Sequence, residues 1–208
     1  MEANRPEPGA IFNEGEPTVP RPAATVILLR GGAVTLEVLL VQRNPAQRFM
    51  GGAWVFPGGA VDRGEVEGDA ALRAAALREL EEEAGVTVAG PEALVPFSRW
   101  ITPAEVKTRF DTWFYLAAVP EGATPHVDGA ECVDWRWTTP ADALAEGAAD
   151  RILLVFPTIK HLEQLGSFAS ADTLLEHARG REVRPVEPRV LMSGEAARIV
   201  LPGEPGYE

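Results

Sequence analysis

The chain has 208 residues, of which 46% are hydrophobic and 24% charged, and its formal net charge is −12. This length is enough for one well-buried domain, and the composition is ordinary for a soluble globular protein. The acidic balance argues against a nucleic-acid-coating protein, and no apolar run approaches the roughly 20 residues that a membrane span needs.

The N-terminal composition and the cysteine content indicate a cytoplasmic protein. Residues 1–22 are rich in Pro, Glu and Asn, so we expect an irregular arm with no apolar core for a signal peptide. The single cysteine, Cys132, excludes an internal disulfide and fits a reducing compartment. Its alternating apolar surroundings favour a buried structural thiol. The three histidines, His126, His161 and His177, are scattered and are predicted to be surface or helix residues rather than catalysts.

Apolar runs and turn signals predict an α/β protein. Residues 23–30 and 34–42 form a hairpin around Gly31-Gly32, and later strands cover residues 53–56, 94–101, 109–119 and 131–137. Helices begin at Pro140 and cover residues 157–165 and 170–179, the last with a Ser170 or Asp172 cap. Strands, a central helix, more strands and then helices predict a mixed sheet with helices on its faces. We assign residues 23–185 to one domain and residues 186–208 to a hairpin, pairing 190–192 with 199–201, and a tail packed on it.

An acidic helix is the most informative stretch of the chain. Residues 69–84 are rich in Ala and Leu, and Gly85 follows as a helix stop. Residues three and four apart share a helix face, so Glu79, Glu82 and Glu83 converge. An apolar stripe lies beside them, formed by Ala76, Leu77, Leu80 and Ala84. Crowded carboxylates repel one another, which favours a site for a hard cation over the alternative of a solvated acidic face.

Two segments around this helix resemble the signature of Nudix hydrolases. They read Phe56-Pro57-Gly58-Gly59 and, after Glu65, Arg78-Glu79-Leu80-Glu81-Glu82-Glu83-Ala84-Gly85-Val86. The resemblance implies an α/β/α sandwich with a central mixed β-sheet. It also implies metal-dependent cleavage of nucleoside diphosphates linked to another group.

The spacing in the first half of the signature departs from the family pattern. Twelve residues separate Glu65 from Arg78, which is more than the family usually leaves. We interpret the excess as a short insertion at residues 66–70, because this register keeps Gly59 and Glu65. The alternative register takes Gly64 as the first glycine and puts Ala70 where a Glu is expected.

The resemblance also implies roles for individual residues. Glu79, Glu82 and Glu83, with the Gly59 carbonyl, are the expected ligands of Mg²⁺ or Mn²⁺, which suit oxygen donors. Glu79, Glu82 and Arg78 are the expected catalytic residues, with Arg78 orienting a glutamate. Family members differ in their general base. Two alternatives therefore remain open for this role: a glutamate of the signature segment and an acid from a distant loop. The distant candidates are Glu105, Asp111, Glu121, Asp128 and Glu131. The family also implies a small nucleoside diphosphate substrate and a homodimer.

A narrower resemblance concerns the coenzyme A diphosphatases within this family. The residues that carry it are Leu39-Leu40-Val41-Gln42-Arg43-Asn44, then Arg48, Gly52 and Phe56-Pro57-Gly58-Gly59. It implies that Arg43 and Arg48 bind phosphate, with Phe56 and Gly58 beside the substrate. The alternative is that both arginines are ordinary loop residues paired with nearby glutamates.

A further segment resembles the Nudix proteins nearest the peroxisomal coenzyme A diphosphatases. It reads Arg99-Trp100-Ile101-Thr102-Pro103, then Arg109-Phe110-Asp111-Thr112-Trp113-Phe114. Arg99 is accordingly a candidate substrate-binding residue, and the aromatic side chains either line a pocket or belong to the core. Four hypotheses follow. The protein hydrolyses coenzyme A or acyl-coenzyme A, or it hydrolyses another dinucleotide such as ADP-ribose or NADH. Otherwise it is a nucleotide sensor that binds without turnover, or the acidic helix has no functional role.

Overall fold

The computed structural model describes residues 11–62, 68–193 and 196–207. In these ranges nine strands form one mixed sheet, and two more form a C-terminal hairpin. The strands are β1 (Arg21–Arg30), β2 (Glu37–Arg43), β3 (Ala53–Val55), β4 (Gly58–Ala60), β5 (Val95–Ile101), β6 (Phe110–Ala118), β7 (Cys132–Thr138), β8 (Leu153–Leu154), β9 (Pro185–Val186), β10 (Arg189–Ser193) and β11 (Ala196–Val200). The helices are α1 (Asp69–Ala84), α2 (Pro140–Ala148), α3 (Phe156–Leu165) and α4 (Ala171–Ala178).

Strand β1 is the centre of the sheet, whose order is β8-β3-β2-β1-β6-β5-β9. One edge of β1 pairs in parallel with β6 along its whole length, from Arg21 opposite Phe110 to Leu29 opposite Ala118. The other edge is shared, since its end pairs with β2 and its beginning with β4. The predicted hairpin of the first two apolar runs is confirmed, but its pairing is short because β4 occupies the rest of that edge.

Helices cover both faces of the sheet, which confirms the α/β/α sandwich. Helix α1 packs its alanine-rich face, with Leu80, against Val26 and Leu28 of β1. The opposite face of β1, with Ile27 and Leu29, packs against α3 and α4. The sequence of a strand that is covered on both faces is a nearly continuous apolar run, and the sequence of β1 has this pattern.

Two predicted helix ends are confirmed. Gly85 ends α1 with a φ of 62°, and its N–H donates to the Glu81 carbonyl oxygen. This left-handed conformation is the reason for a glycine at that position. Ser170 caps α4 by accepting from the Thr173 N–H, in a reciprocal capping box.

The segment before β1 runs along the loop between β5 and β6. The Asn13 N–H donates to the Glu105 carbonyl oxygen at 2.7 Å, and Thr18 Oγ1 donates to the Lys107 carbonyl oxygen at 2.8 Å. Strand β1 begins at Arg21, two residues before the predicted strand start at residue 23. The earlier start follows from the β6 partner, because the Arg21 N–H bonds the Arg109 carbonyl oxygen at 2.9 Å.

The C-terminal hairpin packs on the same body of structure. Val190 of β10 pairs with Ile199 of β11, as the sequence predicts, although β11 begins earlier, at Ala196. Both side chains are buried against Val106 and Phe156. No helix in the described ranges is long and apolar enough to cross a bilayer.

His161 of α3 lies in the core. Its Nδ1 is 2.7 Å from the Pro157 carbonyl oxygen, its Nε2 is 2.6 Å from Ser98 Oγ, and the Phe114 ring centroid is 4.1 Å from its own. The predicted helix is confirmed, but a surface location is wrong, because this face of α3 packs on the sheet. Burial lowers the pKa of His161 to about 4, so the imidazole is neutral in the folded protein.

We predict that His161 makes the protein lose stability as the pH falls. The histidine pKa is about 6.5 in an unfolded chain and about 4 here, so between these values the unfolded state binds more protons. The contribution of His161 is complete above pH 6.5, and about 3 kcal/mol of unfolding free energy is lost by pH 4. Urea titrations of the wild type and His161→Phe across this range measure the difference.

The exposed His126 supplies the control for this experiment. His126→Gln should keep the wild-type pH profile, whereas His161→Phe should be less sensitive to pH between 6.5 and 4. An identical profile for His161→Phe and the wild type would contradict the prediction.

Candidate active site

The second half of α1 places two glutamates against the glycine pair of β4. The Glu83 side chain is 2% exposed, and its Oε2 accepts from the Gly58 N–H at 2.9 Å. The Glu79 side chain is 12% exposed and lies over Gly59, where an added Cβ would come within 2.2 Å of Glu79 Oε1. A glycine is therefore required at position 59 for this carboxylate to lie where it does.

Burial and the repulsion between their charges make these two carboxylates harder to ionise. It raises the pKa of Glu83 to about 7, and the charge of Glu79 adds to the rise against the opposing Gly58 N–H and Arg43. Burial also raises the pKa of Glu79, although Arg78 opposes this effect. A positive ion beside the two carboxylates would favour their charged forms, so this pair is suited to a cation.

Glu82 occupies a different environment. Its side chain is 59% exposed, and its Oε2 accepts from Arg78 Nη1 at 2.9 Å. The same Nη1 donates to Glu79 Oε1 at 2.8 Å, and Arg78 Nη2 donates to the Ala60 carbonyl oxygen at 3.1 Å. Arg78 thus fixes the orientation of Glu79 against β4. Glu65 and the alternative first glycine, Gly64, lie outside the described residues.

The donors present are those that Mg²⁺ or Mn²⁺ prefers, namely carboxylate and backbone oxygens. Within the described ranges, no three His, Cys, Asp or Glu side chains stand together as a ready ligand set. The buried glutamate pair beside Gly59 fits a divalent cation, with Glu79 and Glu83 as the side chains that would hold it. Glu82 shares the helix face but is turned to Arg78 and solvent.

Arg43 stands between the carboxylates and an open cleft. Its Nη1 is 3.6 Å from Glu83 Oε1, and its Nη2 donates to Gln47 Oε1. Its Nε is buried and has no hydrogen-bond partner within the described parts of the chain. Buried donors are normally paired, so an unpaired guanidinium N–H at a cleft is a position for an anion such as a phosphate oxygen.

The cleft has a volume of about 170 Å³ and is open to solvent. It lies on the sheet face that carries α3 and α4, and its lining is mostly apolar and aromatic. Thr25, Arg43, Phe56 and Gly58 line it at the carboxylate end. Ligand sites are commonly concave and apolar with a few polar groups at defined places, as in this cleft.

The glycine pair is a thin wall between the cleft and the carboxylates. A Cβ on Gly58 would lie 2.4 Å from Thr25 Oγ1, on the cleft side, whereas a Cβ on Gly59 would meet Glu79 on the helix side. Backbone without side chains therefore separates the two environments. A diphosphate in the cleft can approach the carboxylates closely only because both positions are glycine.

The structure gathers only some of the predicted substrate-binding residues. Arg43, Phe56 and Gly58 line the cleft. Arg48 is exposed in the loop after β2, next to the cleft-lining Phe49, but does not itself line the cleft.

Arg99 lies away from the cleft. It pairs with Asp111 at 2.6 Å and stacks over Trp113, and the cleft does not include it. Alternation along β5 accounts for this, since Trp100 points into the cleft and its neighbour Arg99 to the other face.

One of the five acids proposed as distant bases lies near the glutamate pair. The negative charge of Glu131 raises the pKa of both Glu79 and Glu83, and its side chain is exposed. The others are placed elsewhere. Glu105 accepts from the Val190 N–H, Asp111 pairs with Arg99, Asp128 accepts from N–H groups of its own loop, and Glu121 is exposed in a turn.

Cys132 is buried, as predicted, but it lies beside Glu83. In the sequence, neither His nor Cys lies near the acidic helix, but in the structure Cys132 does. Strand β7 brings it there from a distant part of the chain. Burial raises the pKa of the thiol to about 12, so it is protonated and a poor metal donor.

The sequence left open whether the aromatic residues of the segment 109–114 line a pocket or belong to the core. The structure places Phe110 and Phe114, with Thr112, along the cleft from alternate positions of β6. Val190 and Ile199 of the C-terminal hairpin also line it. No local signal in the sequence identifies those two as cleft residues.

The fold and the site define a class of protein: an α/β/α sandwich with carboxylates of one helix set against a glycine pair. The NUDIX domain model matches residues 19–156. The chain therefore belongs to the Nudix family, whose hydrolases act on pyrophosphate bonds of small nucleoside diphosphate substrates and generally require divalent metal ions.

Comparisons with individual proteins agree with this assignment. The chain is 27% identical to Putative nudix hydrolase 7 of Caenorhabditis elegans, covering 81% of this chain and 68% of the relative. It is 24% identical to the human Acyl-coenzyme A diphosphatase NUDT19, covering 82% of this chain and 72% of that protein. The crystal structure of a NUDIX hydrolase from Alicyclobacillus acidocaldarius superimposes with a TM-score of 0.68 and 28% identity, covering 76% and 96% of the two chains.

We predict that alanine at the two neighbouring glycines has different effects. In Gly58→Ala, the Cβ lies 2.6 Å from the Ala24 carbonyl oxygen and from the Thr25 Cα, so β1 must shift, at about 1–3 kcal/mol of unfolding free energy. In Gly59→Ala, the atoms nearest to the Cβ are those of the Glu79 carboxylate, a side-chain end and not backbone. Stability then falls less, but the displaced carboxylate lowers hydrolysis by about 100-fold.

Urea denaturation and metal-dependent hydrolysis, measured on both variants, separate the two effects. Gly15→Ala, which places its Cβ in open space at an exposed position, controls for the replacement of a glycine by alanine alone. Equal stability losses in Gly58→Ala and Gly59→Ala, with full activity in Gly59→Ala, would contradict the assigned geometry.

Proposed function

We propose that this Nudix hydrolase cleaves the pyrophosphate bond of coenzyme A or acyl-coenzyme A, with Mg²⁺ or Mn²⁺ as its cofactor. The products are 3′,5′-ADP and 4′-phosphopantetheine or its acyl derivative. One observation carries the proposal: Arg43 and Gly58 line the apolar cleft and also contact Glu83 of the acidic helix. A diphosphate placed there has a guanidinium and the carboxylate pair on one side and an apolar cleft on the other.

The cleft suits the thiol-bearing arm of coenzyme A better than a second nucleoside. ADP-ribose and NADH carry a sugar or ring at that end, with many hydrogen-bonding groups that need partners when buried. The aromatic and aliphatic lining offers few such partners. Similarity to the Acyl-coenzyme A diphosphatase NUDT19 supports the same substrate class, as does the Arg43 to Gly59 spacing.

The residues of the site have separate tasks in this reaction. Arg43 binds the diphosphate, and Arg78 fixes the orientation of Glu79. Divalent cations, when bound by Glu79 and Glu83, neutralise charge that develops on the phosphates. Water attacks one phosphorus atom, the bridging P–O bond breaks, and Glu131 accepts the proton that the water loses. Two phosphate monoesters leave.

A substrate panel tests the proposed specificity. Coenzyme A, decanoyl-coenzyme A, ADP-ribose and NADH are each incubated with Mg²⁺ and with Mn²⁺, and the products are identified by mass spectrometry. Release of 4′-phosphopantetheine, with little or no cleavage of ADP-ribose, is the expected result. Cleavage of ADP-ribose or NADH alone would overturn the proposal, and binding without turnover of any compound would indicate a nucleotide sensor.

We predict that Glu131→Gln lowers kcat by about 100- to 10,000-fold, because the amide cannot accept a proton. The substitution leaves the buried glutamate pair in place, since Glu131 is exposed and its backbone carbonyl oxygen accepts from the Asn44 N–H at 2.8 Å. Steady-state kinetics with coenzyme A measure the effect, and KM should change little. The matched control is Glu121→Gln, also exposed but in the turn after β6.

Wild-type kcat in Glu131→Gln, or an equal loss in Glu121→Gln, would rule out a base at position 131.

A further inference from the structure

We infer that the hairpin β10–β11 is the acyl-binding wall of the cleft and gives the enzyme a preference for acyl-coenzyme A over free coenzyme A. The inference rests on the proposed function and makes its substrate class more specific. The hairpin lies outside residues 19–156, which match the Nudix family model.

The floor of the cleft leads from the catalytic end toward this hairpin. Phe114, Thr112 and Phe110 line the cleft from one face of β6. Phe114 pairs with Thr25, which contacts Gly58, so this residue marks the catalytic end. Four residues of extended strand span roughly 13 Å, which is the length of floor from Phe114 to Phe110.

The far end of this floor is closed by the hairpin. Val190 and Ile199 face each other across the two strands and are 5% and 3% exposed. They pack in one apolar cluster with Val106 and Phe156, and all four side chains line the cleft. Each of the four side chains is a hydrocarbon, and the polar side chains among the nearest lining residues are the hydroxyls of Thr102, Thr108 and Thr158.

Specific hydrogen bonds hold the hairpin at the cleft. The Val190 N–H donates to Glu105 Oε2 at 3.3 Å. Arg109 is 8% exposed, and it donates to Glu187 Oε1 at 2.5 Å, just before β10, and to the carbonyl oxygens of Thr18 and Thr102. A buried arginine that ties three segments together makes the wall a fixed surface, which is what discrimination by shape requires.

An acyl chain is the occupant that fits both ends of the cleft. With the diphosphate at Arg43 and Gly58, the thiol-bearing arm extends along the floor and leaves its acyl group at the hairpin. An alkyl chain gains from leaving water and needs no polar partner there. Free coenzyme A ends in a thiol and gains nothing comparable, so the wall favours the acylated substrate.

The test is kcat/KM for coenzyme A, acetyl-, hexanoyl- and decanoyl-coenzyme A with the full-length protein. For the wild type we expect about tenfold or greater preference for decanoyl-coenzyme A over coenzyme A, since each methylene in an apolar pocket contributes to discrimination. Ile199→Phe fills the acyl end and should lower kcat/KM for decanoyl-coenzyme A far more than for coenzyme A, which abolishes that preference. Ile199→Ala should move the preference to longer chains.

Arg198→Phe is the matched control, because it adds the same ring to the same strand at an exposed position on the opposite face. It should keep the wild-type preference, and thermal unfolding should show that every variant is folded. Equal losses for coenzyme A and decanoyl-coenzyme A in Ile199→Phe would overturn the inference, as would a wild type that cleaves both equally well. A wild type that cleaves neither compound but cleaves another dinucleotide would refute the proposed function itself.

Discussion

The hydrogen bond between the Gly58 N–H and the buried Glu83 carboxylate is the contact on which the rest of the site depends. It joins the helix that carries the acids to the strand that carries the glycines. A buried carboxylate is costly, and one N–H with Arg43 at 3.6 Å compensates only in part. The rise of the Glu83 pKa to about 7 reflects this incomplete compensation. A divalent cation held by Glu79 and Glu83 would supply the missing positive charge.

The same contact explains why the glycine pair separates two unlike environments. On the helix side, Glu79 occupies the space that a side chain at position 59 would need. On the cleft side, Thr25 occupies the space that a side chain at position 58 would need. The acids and the apolar cleft are thus separated by bare backbone, and Arg43 reaches both. Charge stabilisation and substrate binding meet at this one place in the fold.

Local signals in the sequence predict the elements well, because their causes are local. The Ala- and Leu-rich run with Gly85 predicts α1, the Ser170 cap predicts the start of α4, and the apolar runs predict the sheet. Which side of an element is buried is a tertiary property, and there the sequence is a weaker guide. Glu79, Glu82 and Glu83 share a helix face by spacing, yet only Glu82 is turned to solvent.

Long-range packing accounts for the remaining differences. Arg99 lies opposite the cleft because the pleat of β5 alternates its faces, and His161 is buried because α3 lies flat on the sheet. The five candidate general bases could not be distinguished from the sequence. Of these five, Glu131 in the loop before β7 is the one that lies near Glu79 and Glu83. The hairpin reaches the cleft from the far end of the chain. No local pattern encodes such a contact.

Calorimetric titration of Mn²⁺ at pH 8 into the wild type, Glu83→Gln and Glu81→Gln tests the central claim most directly. Glu81 lies on the same helix as Glu83 but is exposed, so its substitution removes the same charge without touching the buried pair. The account predicts at least about tenfold weaker Mn²⁺ binding in Glu83→Gln and wild-type binding in Glu81→Gln. Unchanged binding in Glu83→Gln, or an equal loss in both variants, would contradict it.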